Sequence, residues 1–403
     1  MGDQTKGQPR QPDCVLCGCC LEGCPLLAST GREELSPRAK ALLAGPSKAS
    51  LGALDEDAVA ELAGLCLACG RCEKLCPQGV KVPELVARLR AEHPRFRQWL
   101  WKQWITRLAP FWGAAATGAG LVPEALIPSN FGLAVKGLRG LKPGGGLRPW
   151  LTVTSLPAQA YREKHGTRPV AIFHGCVGSG PKRRWADMAE GLMRGLGANL
   201  ITPRFSCCGS TLGVAGLPED QKRARLVNVA AWRGAGRPLL ATYCATCRKG
   251  LLDYASEGAG VFESETEGAE WKASIAPLSE LLTGMTAKTG KGAPALVAWH
   301  EPCHAPKSDA ELLKSLLGTR LRAPAAAKCC GFGGIMQLGA PGLSEQVGAD
   351  CWARLLKVTG SDQAGEVVPP YALTSCSGCV MQLLATARPG ASAGHWLETL
   401  RPG

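Results

Sequence analysis

Short apolar runs alternate with amphipathic stretches along the second half of the chain. Each run is four or five residues long and largely apolar, which suits a strand buried within a sheet. The runs lie at 169–173, 199–202, 238–242, 295–299 and 371–374. Between them, residues 182–195 and 219–235 have helical patterning. This alternation predicts α/β units with mainly parallel sheets.

Helical patterning dominates the first half of the chain, where residues 36–45 and 54–64 read as helices. Within residues 93–112, four apolar side chains repeat at helical spacing: Phe96, Leu100, Trp104 and Leu108. An aromatic stripe of this kind is usually buried, so we expect a linker helix packed on neighbouring domains. The alternative is a surface helix that contacts lipid headgroups or a quinone-bearing partner.

Cysteines form two runs of four before residue 90. Each run has the spacing C-x2-C-x2-C-x3-C-P, which is typical of proteins that hold two [4Fe–4S] cubanes. In such runs the fourth cysteine binds the other cluster, so the crossover rule gives two predicted ligand sets. One set is Cys14, Cys17, Cys20 and Cys76, and the other is Cys66, Cys69, Cys72 and Cys24. Zinc is the alternative, although zinc sites favour two CxxC pairs. Cys19 is expected to be a spare cysteine that fills a small buried space.

A five-cysteine pattern occurs twice after residue 169. The first copy is Cys176, Cys207, Cys208, Cys244 and Cys247, and the second is Cys303, Cys329, Cys330, Cys376 and Cys379. The motif Leu-Gly-x-x-Gly-Leu-x-Glu follows the cysteine pair in both copies, at 212–219 and 338–345. The cysteines come just after predicted strands, where open α/β sheets place their ligands.

Adjacent cysteines are poorly placed to bind one small ion together, but they can bind different irons of a larger cluster. Gly209 and Gly331 would let the backbone approach such a cluster closely. The sequence therefore predicts two cubanes and one or two further [4Fe–4S] clusters, of cubane or noncubane type. Thiolate ligation alone does not fix the metal, so zinc or no metal in one copy stays open.

Histidines lie close to the leading cysteines of both copies. His174, His300 and His304 could each tune or protonate a bound group, but a structural role at a strand end is the expected one, as for His395. The chain has no P-loop, no GxGxxG in its strand context and no Ser/His/Asp set. A flavin or nucleotide site is therefore not expected on this chain.

Composition and charge limit the remaining possibilities. With 403 residues, 45% hydrophobic and 20% charged, the chain suits a folded multidomain protein. The N-terminal residues lack the apolar core of a signal peptide, so we expect a cytoplasmic protein. Its 20 cysteines are then expected to be metal ligands rather than disulfides. No apolar run approaches the ~20 residues of a membrane-spanning helix. Residues 91–168 hold 11 basic and 3 acidic residues, which favours contact with an acidic partner or the inner face of a membrane; we find no nucleic-acid motif.

These motifs together resemble the iron–sulfur subunits of glycolate oxidase and of related D-lactate dehydrogenases. The resemblance covers nearly the whole chain and includes Glu34-Leu-Ser-Pro-Arg38, Gly175-Cys176, Pro302-Cys303 and His395-Trp396. The same arrangement is similar to the catalytic subunit of heterodisulfide reductase, whose CCG motifs hold noncubane clusters that split a disulfide. Another relative is the iron–sulfur subunit of anaerobic glycerol-3-phosphate dehydrogenase. Both CCG copies here are complete, which departs from the glycolate oxidase pattern, where the first is incomplete.

The resemblance implies an α+β multidomain chain with four parts. These are a helical two-[4Fe–4S] ferredoxin-like domain at 1–90, a basic Trp-rich linker at 91–168, and tandem α/β CCG units at 169–290 and 291–403. It also implies an electron-transfer subunit of a lactate or glycolate dehydrogenase complex. A partner FAD subunit would oxidise the substrate, and a quinone or other carrier would accept the electrons. The alternative is a catalytic subunit that cleaves a disulfide at its CCG clusters, and a third hypothesis is a zinc-bound scaffold.

Overall fold

The computed structural model describes residues 13–44, 55–256, 258–325, 329–360 and 370–403. The polar N-terminal segment at 1–12 and the ends of two predicted helices, at 45 and 54, lie outside these residues.

Five short helices form the ferredoxin-like region. They are α1 (Pro25–Thr30), α2 (Pro37–Ala44), α3 (Glu56–Gly64), α4 (Arg71–Leu75) and α5 (Val82–Glu92). Helices α1 and α5 have proline in the first turn, where no backbone N–H is needed. The side chain of Asp55 caps α3 by accepting the N–H of Asp57 at 3.2 Å. The helices that the sequence predicts here are confirmed within the described residues.

Three helices follow: α6 (Phe96–Thr106), α7 (Trp112–Ala119) and α8 (Ser129–Arg139). The prediction that the stripe beginning at Phe96 forms the buried face of α6 is wrong, because a different face of the helix is buried. Trp101 and Ile105 face the core, whereas Phe96 is 66% exposed and Trp99 53% exposed. The cause is the side-chain amide of Gln98, which we call the polar anchor. It is buried and donates to two backbone carbonyl oxygens, those of Arg90 and Ala215. That anchor turns α6 so that its core face starts at residue 98.

The first CCG unit contains a four-stranded parallel sheet. Its elements are β1 (Leu151–Ser155), α9 (Ala158–His165), β2 (Val170–Phe173), α10 (Gly175–Gly178), α11 (Arg183–Gly195), β3 (Leu200–Ile201), α12 (Ser210–Val214), α13 (Pro218–Gly234), β4 (Leu239–Thr242), α14 (Ala245–Leu252), α15 (Glu265–Ser274), β5 (Ile275–Pro277), α16 (Leu278–Leu281) and β6 (Thr286–Thr289). The strand order is β3-β2-β4-β5, with Val170 opposite Leu200 and Leu239.

The second CCG unit repeats this sheet. Its elements are β7 (Val297–Trp299), α17 (Lys307–Leu317), β8 (Leu321–Arg322), α18 (Met336–Gly339), α19 (Pro341–Thr359), β9 (Tyr371–Thr374), α20 (Ser377–Ala385), β10 (Ser392–His395) and β11 (Leu400–Arg401). The strand order β8-β7-β9-β10 is the order of the first unit, and all pairs are parallel. The predicted parallel sheets are therefore confirmed, although the domain boundaries stay a prediction.

A third sheet joins the two units. Strand β1 pairs in parallel with β11 at the end of the second unit and antiparallel with β6 of the first. Short 3-10 turns complete the described structure, at Glu33–Leu35, Ala109–Phe111, Glu124–Leu126, Asp253–Ala255, Gly318–Arg320 and Trp396–Thr399. The carboxyl ends of β4 and β9 meet, since the N–H of Ala245 donates to the carbonyl oxygen of Ser375 at 2.9 Å. This contact brings the CxxC motifs of the two units together.

Candidate iron–sulfur sites

The two N-terminal cysteine runs sort into two hollows. Cys14, Cys17 and Cys20 line one hollow together with Cys76. The other hollow is lined by the remaining four predicted ligands, Cys24, Cys66, Cys69 and Cys72. These are the groupings that the crossover rule predicts, so in each hollow four thiols converge. Cys19 lines neither hollow, as expected of a spare cysteine, but the expectation that it is buried is wrong, because it lies exposed in the turn before Cys20.

The backbone of both runs adopts the same unusual conformation. The residue before the second cysteine has a positive φ in each run, 59° at Leu16 and 46° at Ala68, and the glycine after it does too, at Gly18 and Gly70. A left-handed residue of this kind turns consecutive N–H groups towards one concave side, and such concavities hold anionic groups and iron–sulfur clusters. The strain costs about 1 kcal/mol or more at each non-glycine position. Nothing in the sequence pattern pointed to Leu16 or Ala68.

Burial distinguishes the second hollow from the first. Cys24 and Cys72 are buried, and burial raises the pKa of Cys72 to about 12. Lys40 lies beside this hollow, where burial lowers its pKa, and its Nζ donates to the carbonyl oxygen of Leu35 at 2.6 Å. Thiols in such surroundings stay protonated unless a metal replaces the proton. Four converging thiols near a buried ammonium group therefore fit an anionic thiolate cluster.

The first five-cysteine set is built by a buried polar network. The Nδ2 of Asn228 donates to the carbonyl oxygen of Cys207 at 3.0 Å and to the hydroxyl of Tyr254 at 2.8 Å. The Tyr254 hydroxyl donates in turn to the carbonyl oxygen of Cys208 at 3.1 Å. These bonds fix the adjacent cysteines, and the N–H of Gly209 points at the Cys207 sulfur from 3.4 Å. Asn228 and Tyr254 belong to no motif, so the sequence did not indicate that they support the site.

Glycines leave the space that a bound group needs beside these thiols. Gly175 has a φ of +64°, and a Cβ there would lie 2.7 Å from the sulfur of Cys247. A Cβ at Gly250 would lie 3.2 Å from the sulfur of Cys208. Gly331 in the second copy has a φ of +92°, as close backbone approach requires. Soft donors with this clearance fit an iron–sulfur cluster in each set.

The second five-cysteine set adjoins the ferredoxin-like region. Cys330 and Cys379 are buried with their sulfurs 3.3 Å apart, and Cys69 interacts with Cys303 and Cys329. Cys69 therefore lies between the second N-terminal hollow and this set. Hydrogen bonding to Cys303 raises the pKa of Cys69 well above its ordinary value. No spacing rule relates Cys69 to cysteines more than 230 residues later, so this proximity comes from the fold alone.

The two five-cysteine sets meet at their CxxC motifs. The Sγ of Cys244 lies 3.3 Å from the hydroxyl of Ser377, and the hydroxyl of Thr246 lies 3.0 Å from the Sγ of Cys376. Cys244 and Cys376 also interact with each other. The thiols consequently form one series of neighbours, which we call the thiol row. It runs through Cys176, Cys207, Cys208, Cys247, Cys244, Cys376, Cys379, Cys330, Cys329, Cys303 and Cys69.

The histidines have different surroundings. His174 Nε2 lies 3.2 Å from Glu190, and His395 is buried, stacks on Trp185 and interacts through Nε2 with the carbonyl oxygen of Tyr243 at 3.0 Å. Burial lowers the pKa of His395 to about 4, so its ring is neutral near pH 7. These two histidines have the structural contacts that the sequence analysis expects. His304 lines a hollow beside Cys303, and His300 packs against thiols of the second set.

An open cavity of about 990 Å³ lies at the far end of the thiol row, beside Cys176 and Cys207. Apolar side chains, among them Ile105, Ile172 and Phe205, form much of its wall. Four basic residues and one acidic residue also line it: Lys102, Arg107, Arg204, Arg223 and Asp220. Lys102 pairs with Asp220 at 2.9 Å. The cavity therefore has an apolar wall and a net positive rim.

Comparison with protein families supports the division into a two-cluster N-terminal region and two cysteine-rich units. Residues 11–80 match a 4Fe-4S dicluster domain, and residues 170–251 and 297–384 each match a cysteine-rich domain. The chain is 24% identical to the "Probable glycolate oxidase iron-sulfur subunit" of Bacillus subtilis, over 94% of this chain and 90% of that protein. It is 24% identical to the glycolate oxidase iron–sulfur subunit of Escherichia coli, over 96% and 92%. An uncharacterised iron–sulfur protein of Methanococcus maripaludis matches 52% of the chain at 23% identity. The resemblance to glycolate oxidase iron–sulfur subunits is thereby confirmed.

Proposed function

We propose that this chain, which belongs to the iron–sulfur proteins that join a 4Fe-4S dicluster domain to two cysteine-rich domains, is the electron-transfer subunit of an FAD-dependent 2-hydroxy-acid dehydrogenase. A partner flavoprotein would oxidise lactate or glycolate, and this chain would pass the electrons to a quinone or another carrier. Its relatives are named as iron–sulfur subunits of an oxidoreductase, which supports an electron-transfer role.

The thiol row is the observation that carries this proposal. It links the ferredoxin-like region to both CCG units without a break, from Cys69 through Cys244 and Cys376 to Cys176. Clusters bound along such a row would supply one-electron carriers placed side by side. The residues of the chain hold these groups, shield those of the CCG units from water and tune them through N–H donors such as Gly209.

The two ends of this path differ in their surroundings. At the N-terminal end, Val15, Leu16 and Leu75 are exposed apolar residues close to the first cysteine hollow. Isolated apolar residues need no explanation, but three beside a candidate cluster suit a contact with the flavoprotein. At the other end, the cavity beside Cys176 offers an apolar wall and free positive charge. We place the electron donor at the first end and the acceptor at the second.

A reconstituted complex tests this function. We expect the tagged chain, purified anaerobically from its own host, to bring down a flavoprotein, and lactate or glycolate to reduce its clusters. The function is wrong if no flavoprotein co-purifies and oxidation of both acids persists in cells that lack the chain.

The acceptor end is tested with the soluble quinone 1,4-naphthoquinone-2-sulfonate. Arg107→Gln with Arg204→Gln should raise its KM about 30-fold, since two charge contacts of about 1 kcal/mol each are lost. Arg354→Gln, an exposed change on α19, should leave the KM unchanged.

Disulfide cleavage is a second candidate, favoured by one observation. Both five-cysteine sets are complete, and the first opens onto a cavity large enough for a small organic disulfide. The purified chain with a reduced dye and a panel of disulfides separates the two functions. Turnover by the loaded chain alone would establish a reductase, whereas no turnover with intact clusters would leave only the electron-transfer role.

We also propose that the linker contacts the inner face of the cytoplasmic membrane. Several of its apolar side chains are exposed: Phe96, Trp99, Leu108, Phe111, Leu121, Val122 and Leu126. Basic residues outnumber acidic ones by 11 to 3 between 91 and 168, which suits anionic lipid. Among the described residues, every helix is too short or too polar to span a bilayer. Membrane contact would therefore be peripheral.

Vesicle sedimentation tests this contact. The chain should bind vesicles that contain anionic lipid, and Phe96→Ala with Trp99→Ala should weaken binding about tenfold, because two aromatic side chains would no longer enter the lipid interface. Salt should weaken binding as well. Leu226→Ala removes a comparable exposed side chain from α13 and is the matched control. Equal binding by neutral and anionic vesicles, or no effect of the aromatic pair, would contradict the proposal.

A further inference from the structure

His300 lies inside the second five-cysteine set rather than beside it. Its side chain is buried, with 3% of the residue exposed, and it directly follows strand β7. A ring nitrogen of His300 and the sulfurs of Cys330 and Cys379 all lie within 4.8 Å of one another. The same two sulfurs are 3.3 Å apart. This spacing is short enough for all three atoms to bind one metal centre.

The two ring nitrogens of His300 have different partners. Nδ1 lies 3.4 Å from the sulfur of Cys351, which is buried on α19. Nε2 is buried and has no hydrogen-bond partner of good geometry among the described residues, although the ring interacts with the thiol of Cys330. An unsatisfied buried polar atom costs about 1–3 kcal/mol, so its retention here requires an explanation. A ligating histidine shows this arrangement, because one nitrogen binds the metal and the other donates to an acceptor that orients the ring.

The first CCG unit provides an internal comparison. His174 directly follows β2, as His300 follows β7. However, Nε2 of His174 is 3.2 Å from Glu190, and its Nδ1 is 3.4 Å from the hydroxyl of Tyr243. Both nitrogens of His174 therefore have partners, and neither is left for a metal. The motif repeat places Arg225 in the first unit where the second has Cys351, so the orienting sulfur is also absent there.

We propose that Nε2 of His300 is a ligand of the group held by the second five-cysteine set, and that Cys351 positions the ring by accepting the Nδ1 proton. This inference rests on the proposed function only in that the set must hold a metal group. The two CCG units would then differ, with thiolates alone in the first and thiolates plus an imidazole in the second. The reduction potential of an iron–sulfur centre depends on its ligands and their net charge, so the two sites should have different potentials.

Pulsed EPR on the full-length, cluster-loaded chain tests the ligand directly. The chain is labelled with ¹⁵N-histidine and poised by redox titration so that the second centre is paramagnetic. We expect a nitrogen coupling of the size that a directly bound imidazole gives. His300→Gln should abolish it, and His174→Gln, the matched change in the first unit, should retain it. Wild-type protein with full iron content and no directly bound nitrogen would overturn the proposal, as would a coupling that survives in His300→Gln.

Further variants and a metal analysis keep the test decisive. Cys351→Ser keeps an acceptor for Nδ1 and should preserve the coupling, whereas Cys351→Val should alter the coupling and shift the reduction potential of the second centre. If neither Cys351 variant differs from wild type, Cys351 is not a positioning residue. If the set holds zinc rather than iron, X-ray absorption at the zinc edge replaces EPR. A shell with one nitrogen that His300→Gln removes would support the ligand and contradict the proposed cluster, whereas sulfur alone would overturn the ligand.

Discussion

Cys330→Ser should remove one iron–sulfur centre and interrupt electron transfer through the chain. Cys330 lies within the thiol row between Cys379 and Cys329, where its sulfur is 3.3 Å from that of Cys379 and close to the ring of His300. Serine is a hard ligand and a poor substitute for thiolate towards iron. Iron should fall from about sixteen to about twelve atoms per chain, four for each lost centre. Electron flow from the flavoprotein to the acceptor should fall at least about 100-fold.

The iron count and the rate check this expectation together. Cys207→Ser should lower the iron content by the same amount, because its sulfur belongs to the first set. Cys19→Ser is the matched control, since Cys19 is exposed and lines neither N-terminal hollow, and it should leave iron and rate unchanged. An iron content of about eight in the wild type, unaffected by Cys330→Ser, would mean that only the cubanes are present. That result would favour the zinc or empty-site alternative for the CCG units.

Arg90→Met should strongly destabilise the protein without removing a cysteine. The Arg90 guanidinium is buried and donates to four carbonyl oxygens, at 3.1 Å to Ala63, 3.0 Å to Gly64, 2.7 Å to Cys66 and 2.6 Å to Val214. These bonds join the ferredoxin-like region to the first CCG unit. Burial lowers the pKa of Arg90, but an arginine remains charged. Methionine would leave four buried acceptors without donors, so the free energy of unfolding should fall by about 3–5 kcal/mol.

Denaturant unfolding of the loaded protein, followed by cluster absorbance and by circular dichroism, measures this loss. Arg88→Met is the control on the same helix, because Arg88 is exposed and its pair with Glu92 is long, at 3.7 Å. An exposed pair contributes at most about 1 kcal/mol, so the control should unfold close to wild type. If both variants unfold alike, the carbonyl cluster around Arg90 does not hold the two regions together.

Local sequence patterns were sufficient to predict those features of the protein that depend on residues close together in the chain. The parallel strands after 169, the helices of α11 and α13, and the pairing of Cys76 with the first run all follow from short-range rules. The register of α6 did not follow, because its core face is set by Gln98, which donates to the distant carbonyl of Ala215. Hydrophobic periodicity takes no account of a buried amide. The stripe beginning at Phe96 was therefore predicted to face the core, although Phe96 is exposed.

The sequence by itself determined the cysteine runs, the repeat and the mixture of helices with parallel sheets, because spacing along the chain fixes which thiols share a loop and which side chains share a face. Only the tertiary structure decided how these parts meet. It placed Cys69 against Cys303, Cys244 against Cys376, and the ring of His300 against Cys330. Each of these contacts joins residues on separate loops or elements, and each is set by the packing of two sheets and a helical region. Packing depends on the shapes of many side chains at once, so no motif could have predicted the thiol row or the histidine within it.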